Sequence, residues 1–120
     1  MLQALGFKCL DENGESVKFG GESLLALKTI FMPKDNIYSD IEIKVACDVT
    51  NPLLGKNGAT YVYGPQKGAD FDMMEILEKG LRNYAEILEK KFGFTGQNYL
   101  GCGAAGGLGA SLMACLGVCS

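Results

Sequence analysis

The chain reads as an α/β unit, a small mixed sheet containing a β-hairpin with at least three helices, in one domain over residues 1–120. A short apolar stretch, Phe7–Leu10, and an alternating one, Glu15–Phe19, flank Asp11-Glu-Asn-Gly14, whose Asn-Gly pair is a hairpin-turn signal. Met73, Leu77, Leu81, Tyr84 and Leu88 recur at steps of three and four, one apolar stripe of a long helix. Hydrophobic residues make up 48% of the sequence and charged residues 21%, which excludes a disordered tail and suits a packed core. The length of 120 residues gives one domain with enough chain to bury that core.

In chain order, Met1–Leu5 reads as the tail of a helix closed at Gly6, an abrupt place for a domain to begin, so further chain is expected before it. The predicted hairpin follows. Gly20 and Gly21 interrupt the chain, and Leu24, Leu25, Leu27 and Ile30 give Glu22–Ile30 helical spacing. Met32–Asp40 has loop composition. Ile41–Cys47 alternates and then turns apolar, the pattern of a core strand that ends at Asp48, where ligand-binding residues sit in open α/β sheets. Asp70 or Asp72 caps the long helix, which runs to about Lys91 and stops at Gly93. Its charged residues Glu75, Glu78, Lys79, Arg82, Glu86, Glu89 and Lys90 read as a solvated face. Gly80 within it costs roughly 1 kcal/mol relative to alanine, a hint of close packing there. Phe94–Leu100 is an irregular connection, and Ser111–Leu116 a final helix of small residues within the apolar run Leu108–Val118. That run is shorter than the ~20 residues a membrane span needs, so no membrane partner is expected.

The seventeen glycines are roughly twice the usual ~7% and cluster over residues 55–68 and 93–109, two tight, ligand-sized bends. The net charge of −3 argues against a nucleic-acid partner, because phosphate neutralisation needs a basic face. Five cysteines without a Cys-x-x-Cys, in a chain without histidine, offer no zinc-ligand spacing and read as reduced, buried thiols of a cytoplasmic protein. No signal-peptide pattern opens the chain.

The segment from Asp48 to Ala69 is the candidate active-site loop. It is far longer than the ~4–6 residues of an ordinary connection and carries Asp48, Asn51, Lys56, Gln66, Lys67 and the glycines Gly55, Gly58, Gly64 and Gly68. Asp48 suits a general base, a magnesium ligand or a cap on the following turn. Lys67 suits a mobile point charge for phosphate or carboxylate. The second cluster, Gly101-Cys-Gly-Ala-Ala-Gly-Gly107, contains Gly-x-Gly-x-x-Gly, but no clear strand precedes it and the chain ends before an acidic residue ~20 positions on. Two readings remain: an anion site where glycines open onto a helix N-terminus, or small residues that let two helices pack closely.

Asp48-Val-Thr-Asn-Pro-Leu-Leu-Gly-Lys-Asn-Gly-Ala59, Tyr63-Gly-Pro-Gln-Lys-Gly-Ala69 and Gly103-Ala-Ala-Gly-Gly-Leu-Gly-Ala110 resemble, in order, signature blocks of the bacterial glycerate kinases. Met1-Leu-Gln-Ala-Leu-Gly6 is similar to the end of an earlier glycine-rich block of that family. The resemblance implies an internal portion of a longer, two-domain α/β enzyme, without the family's Asp-Ser-Phe-Lys-Gly-like and Gly-Asp-Gly-Gly-like motifs. It further implies phosphoryl transfer from ATP, with magnesium, to a hydroxyl of D-glycerate, giving phosphoglycerate. Within that scheme Asp48 and Lys67 are the expected catalytic residues, with Asp48 also toward magnesium. Asn51, Gln66, Gly64 and Gly68 bind substrate, while Gly103, Gly106 and Gly107 complete an anion pocket. The other expectation is a non-catalytic α/β module that binds an anion or pairs with missing parts, and self-associates through surfaces those parts would cover.

Overall fold

A computed structural model describes residues 1–18, 20–33, 40–44, 50–95 and 101–116. The spine is the predicted long helix, α2, here Phe71–Phe92. Asp70 caps it, its Oδ1 accepting from the Met73 amide at 2.8 Å, and Gly93 closes it at φ 66°, the left-handed conformation that suits a residue without Cβ. Leu81, Tyr84 and Leu88 of the stripe are buried, as are Ala85 and Ile87 beside them, while Met73 at its start is exposed. Glu78, expected on the solvated face, is buried instead. It precedes Leu81 by three positions and Ala85 by seven, so the helical repeat carries it onto the inward face.

Among the described residues the sheet has two antiparallel strands, β1 (Lys8–Leu10) and β2 (Thr29–Phe31), with Cys9 opposite Ile30. The turn at Asp11–Gly14 forms as predicted, its Asp11 carboxylate accepting from the amides of Asn13 and Glu15. The returning chain makes only an isolated bridge, Leu10 to Ser16, and a Val17 amide bond to Cys9 O. The strand that pairs fully with β1 comes from the stretch expected to be helical. Residues Gly21–Ala26 form a 3-10 helix that ends as Leu27 turns extended (φ −67°, ψ 130°). The reason is tertiary: the Asn83 amide on α2 donates to both Leu24 O and Leu27 O, and Lys28 N bonds Leu10 O, which draws Ile30 into the sheet. Of the expected strand Ile41–Cys47, residues 41–44 lie outside this sheet, while 45–47 and Asp48 fall outside the described residues.

Gly80 is where α2 meets that 3-10 helix. A Cβ there would stand 3.1 Å from Leu24 Cβ and 3.2 Å from Gly21 O, so glycine trades helix propensity for close approach. The segment read as an active-site loop contains a short helix, α1 (Ala59–Tyr63), and a 3-10 turn, Pro65–Lys67. Burial of Ala59 and Thr60 overrides the poor helix propensity of Thr60 and Val62. The last helix, α3 (Leu108–Leu116), starts before Ser111. Leu27, Ile30, Leu53, Leu88 and Cys102 are the largest fully buried side chains, so strand, loop, helix and second glycine block all contribute to one core. Cys9, Cys102 and Cys115 are buried, as expected of structural thiols. No helix among the described residues is long and apolar enough to cross a membrane.

Candidate functional site

The two glycine blocks meet. The Gly103 amide donates to Asn51 O at 2.9 Å, and a Cβ on Gly103 would fall 2.2 Å from Pro52 O, so only glycine admits this contact. Asn51 is held by its side chain as well, Nδ2 donating to Asn57 O at 2.8 Å and Oδ1 accepting from Tyr63 Oη at 2.7 Å. Among the described residues, each end of that amide makes one of the two hydrogen bonds it can form. The turn between these partners is closed by Gly58 N to Gly55 O at 2.9 Å and Ala59 N to Leu53 O at 3.2 Å.

Gly64 O accepts from the amides of both Lys67 and Ala69 at 3.0 Å, which lifts Gln66 and Lys67 to the exposed crest of a tight turn. Gly68 ends that turn at φ 86° with open space around it, so its glycine answers to conformation alone. At Gly64 a Cβ would lie 2.4 Å from Thr60 O and 3.3 Å from Met74 Cγ, so the room it leaves is filled by its own scaffold.

In the second block Ala105 (φ 53°), Gly106 (φ 74°) and Gly107 (φ 109°) are consecutively left-handed and deliver the chain into α3. A Cβ on Gly107 would approach Leu53 Cδ1 to 3.2 Å and Leu81 Cδ2 to 3.3 Å. Gly103 and Gly107 are buried, whereas Gly106 is exposed. The close packing foreseen as the structural reading of this block is present, as loop against loop at Gly103 and Pro52 and as loop against α2 at Gly107 and Leu81.

A cavity of about 300 Å³ collects the open parts of both blocks: Gly64 and Lys67 from the first, Gly106 from the second, with Thr60, Tyr63 and Leu77 in its walls. A second cavity, about 260 Å³, lies across Leu24, Leu81 and Gly106 and reaches Lys18, Tyr84 and Ser111. Tyr84 and Ser111 hydrogen-bond through their hydroxyls, joining α2 to α3, and burial raises the Tyr84 phenol, an effect that the bond to Ser111 partly offsets. Burial also raises the Cys9 thiol and lifts Cys115 to about 12, with Cys9 adding to the shift at Cys115.

The first cavity therefore gathers Lys67, Gly64 and Gly106 from the expected set; Gly103 and Gly107 buttress it, and Asn51 stands behind it through Tyr63. Gln66 is on the same crest as Lys67 but does not line the cavity. Asp48 lies outside the described residues. The cavity's donors are a cation, hydroxyls and backbone groups, which suit an anion such as a phosphate of ATP or a carboxylate. They do not suit magnesium, which takes carboxylate oxygens; no group of three or more potential ligands occurs among the described residues. The sequence reading missed Tyr63, although it adjoins Gly64 in the first block, and Glu78, whose signal was its register with Leu81 and Ala85.

Known proteins resemble the chain over nearly its whole length. The glycerate kinase family model matches residues 1–119. The chain is 49% identical over 118 residues to a glycerate 2-kinase of Escherichia coli K12, covering 98% of this chain and 31% of that protein. It is 45% identical over 114 residues to a glycerate kinase of Bacillus subtilis 168, covering 94% and 30%. A crystal structure of a Salmonella typhimurium LT2 protein described as a glycerate kinase 2 superposes with a TM-score of 0.93 at 44% identity, over 98% of this chain and 32% of that one. The chain thus spans about a third of the length of the relatives it matches, and with the order of its motif blocks and its fold in agreement, it belongs to the glycerate kinase family.

Proposed function

We propose that this segment forms one side of the phosphoryl-transfer cleft of an ATP-dependent glycerate kinase, which phosphorylates a hydroxyl of D-glycerate to phosphoglycerate. The observation that carries the reading is the single cavity bounded by Lys67 and Gly64 on one side and Gly106 on the other. Phosphoryl transfer asks a protein chiefly to position its reactants and to neutralise charge on the moving group. Lys67 supplies a mobile positive charge at the rim, and the backbone at Gly106 admits an anion without a side chain in the way. Gln66 and Asn51 orient the glycerate, Asn51 from a pose already fixed by Tyr63 and Asn57. ATP supplies the phosphoryl group. Magnesium would be held by Asp48.

The share of the relatives that the chain covers favours a second reading for the isolated 120 residues, a non-catalytic α/β module inactive without the rest of the enzyme. Phe71, Met73 and Ile76, exposed toward the start of α2, supply the apolar surface on which such a module would self-associate.

The test is an ATP-dependent phosphorylation assay with D-glycerate, run on the 120-residue chain and on a full-length family member carrying this segment. Activity in the long protein that falls more than about tenfold in kcat/KM with Lys67→Ala supports the assignment. Activity unchanged by Lys67→Ala removes Lys67 from the cleft. Turnover by the 120-residue chain alone would overturn the non-catalytic reading.

A further inference from the structure

Glu78 is the only buried carboxylate among the described residues, with 5% of its surface exposed. Its Oε1 accepts from the Gly55 amide at 3.1 Å, while its Oε2 is buried and receives no hydrogen bond. A carboxylate taken out of water with one partner is costly. Packing alone does not call for it, since an apolar side chain of similar volume commonly serves a buried position as well or better. What Glu78 alone provides is an acceptor on the rigid helix α2, facing the turn at Gly55. From that turn the connections run through Asn57 O to Asn51 Nδ2, and from Asn51 O to the Gly103 amide.

We infer that Glu78 is a positioning residue of the cleft: it tethers the Gly55 turn to α2 and thereby fixes Asn51 in the pose that meets both Tyr63 and the second glycine block. It does not touch the substrate. It acts through Asn51, so the inference rests on the kinase reading given above. One acceptor is enough for the tether, so an amide in place of the carboxylate retains it, while an apolar chain of similar size fills the space and loses it.

The experiment compares Glu78→Gln and Glu78→Met. Met preserves volume and removes a buried polar group that lacks a partner at Oε2, so that variant keeps its fold. In the 120-residue chain, amide hydrogen exchange at Gly55 should accelerate about tenfold or more in Glu78→Met and stay within about threefold of the parent in Glu78→Gln. In a full-length family member carrying this segment, Glu78→Met should raise KM for D-glycerate about fivefold or more, with KM for ATP and kcat little changed, and Glu78→Gln should restore the parent value. Unchanged exchange at Gly55 in Glu78→Met overturns the tether. Faster exchange without a shift in KM reduces Glu78 to a structural residue and overturns its positioning role, as does Glu78→Gln behaving like Glu78→Met. If the unsubstituted full-length protein does not phosphorylate glycerate, the kinase reading falls and takes the KM arm with it, while exchange at Gly55 still decides the tether.

Discussion

Asn51 O and the Gly103 amide, far apart in sequence, stand 2.9 Å apart in space, and the Pro52 carbonyl occupies the place a Gly103 side chain would need. Gly103→Ala must push apart two backbones rather than bend a side chain. The expected cost is about 1–3 kcal/mol, read as a lowered midpoint in urea unfolding. A midpoint equal to that of the parent would show that the two blocks do not depend on this contact.

Tyr63→Phe removes the hydroxyl bonded to Asn51 Oδ1 and little else. Loss of one such bond costs about 0.5–1.5 kcal/mol. Because the bond orients the Asn51 amide, a full-length family member bearing the change should show a raised KM for D-glycerate before any fall in kcat. A fall in kcat at constant KM would move Asn51 from holding substrate to stabilising the transition state.

Asp70→Ala leaves the Met73 amide without its cap and takes a negative charge from the positive end of α2. The expected loss is about 1 kcal/mol in unfolding free energy, mostly recovered in Asp70→Asn, which still accepts the bond. Equal losses in both variants would show that charge, not capping, is what Asp70 contributes.

Alkaline stability should track the buried thiols. Burial first, and then Cys9, raise the Cys115 thiol from its ordinary 9.0 to about 12 in the folded chain. Above pH 9 the unfolded chain has released that proton while the native state still holds it, so stability falls as pH rises toward 12. The raised Tyr84 phenol acts in the same direction. Cys115→Ala should flatten this alkaline limb relative to its own stability at pH 7, and native-state alkylation of Cys115 should be slow because little thiolate is present. An alkaline limb unchanged by the substitution would assign it to other groups.

Much of the fold was legible where the signal is local. The stripe of α2, its cap at Asp70 and stop at Gly93, and the turn at Asp11–Gly14 follow from side-chain period and turn chemistry, and the structure has them. The second strand was missed because nothing within Thr29–Phe31 announces it; the carbonyls of Leu24 and Leu27 are claimed by Asn83, a residue distant in sequence. The short helix at Ala59 was hidden by β-branched neighbours whose burial decides the matter. In the site, the residue types of Gly103, Lys67 and Asn51 pointed to a functional segment. Their division into buttress, rim and support depends on distances that no spacing encodes. Glu78 went unread because a charge on a helix is ordinarily a solvated one.

The attachments of α2 bear on how the chain comes apart. Asn83 holds the 3-10 helix that leads into β2, Glu78 holds the Gly55 turn, Tyr84 holds α3 through Ser111, and Gly80 lies against Leu24. All four spring from neighbouring turns of one helix, so fraying that stretch releases sheet, loop and glycine block together. The assembly is a hub with spokes, and its opening should be concerted: protection from exchange in β1, in the Gly55 turn and in α3 should be lost at the same free energy, set by the middle of α2.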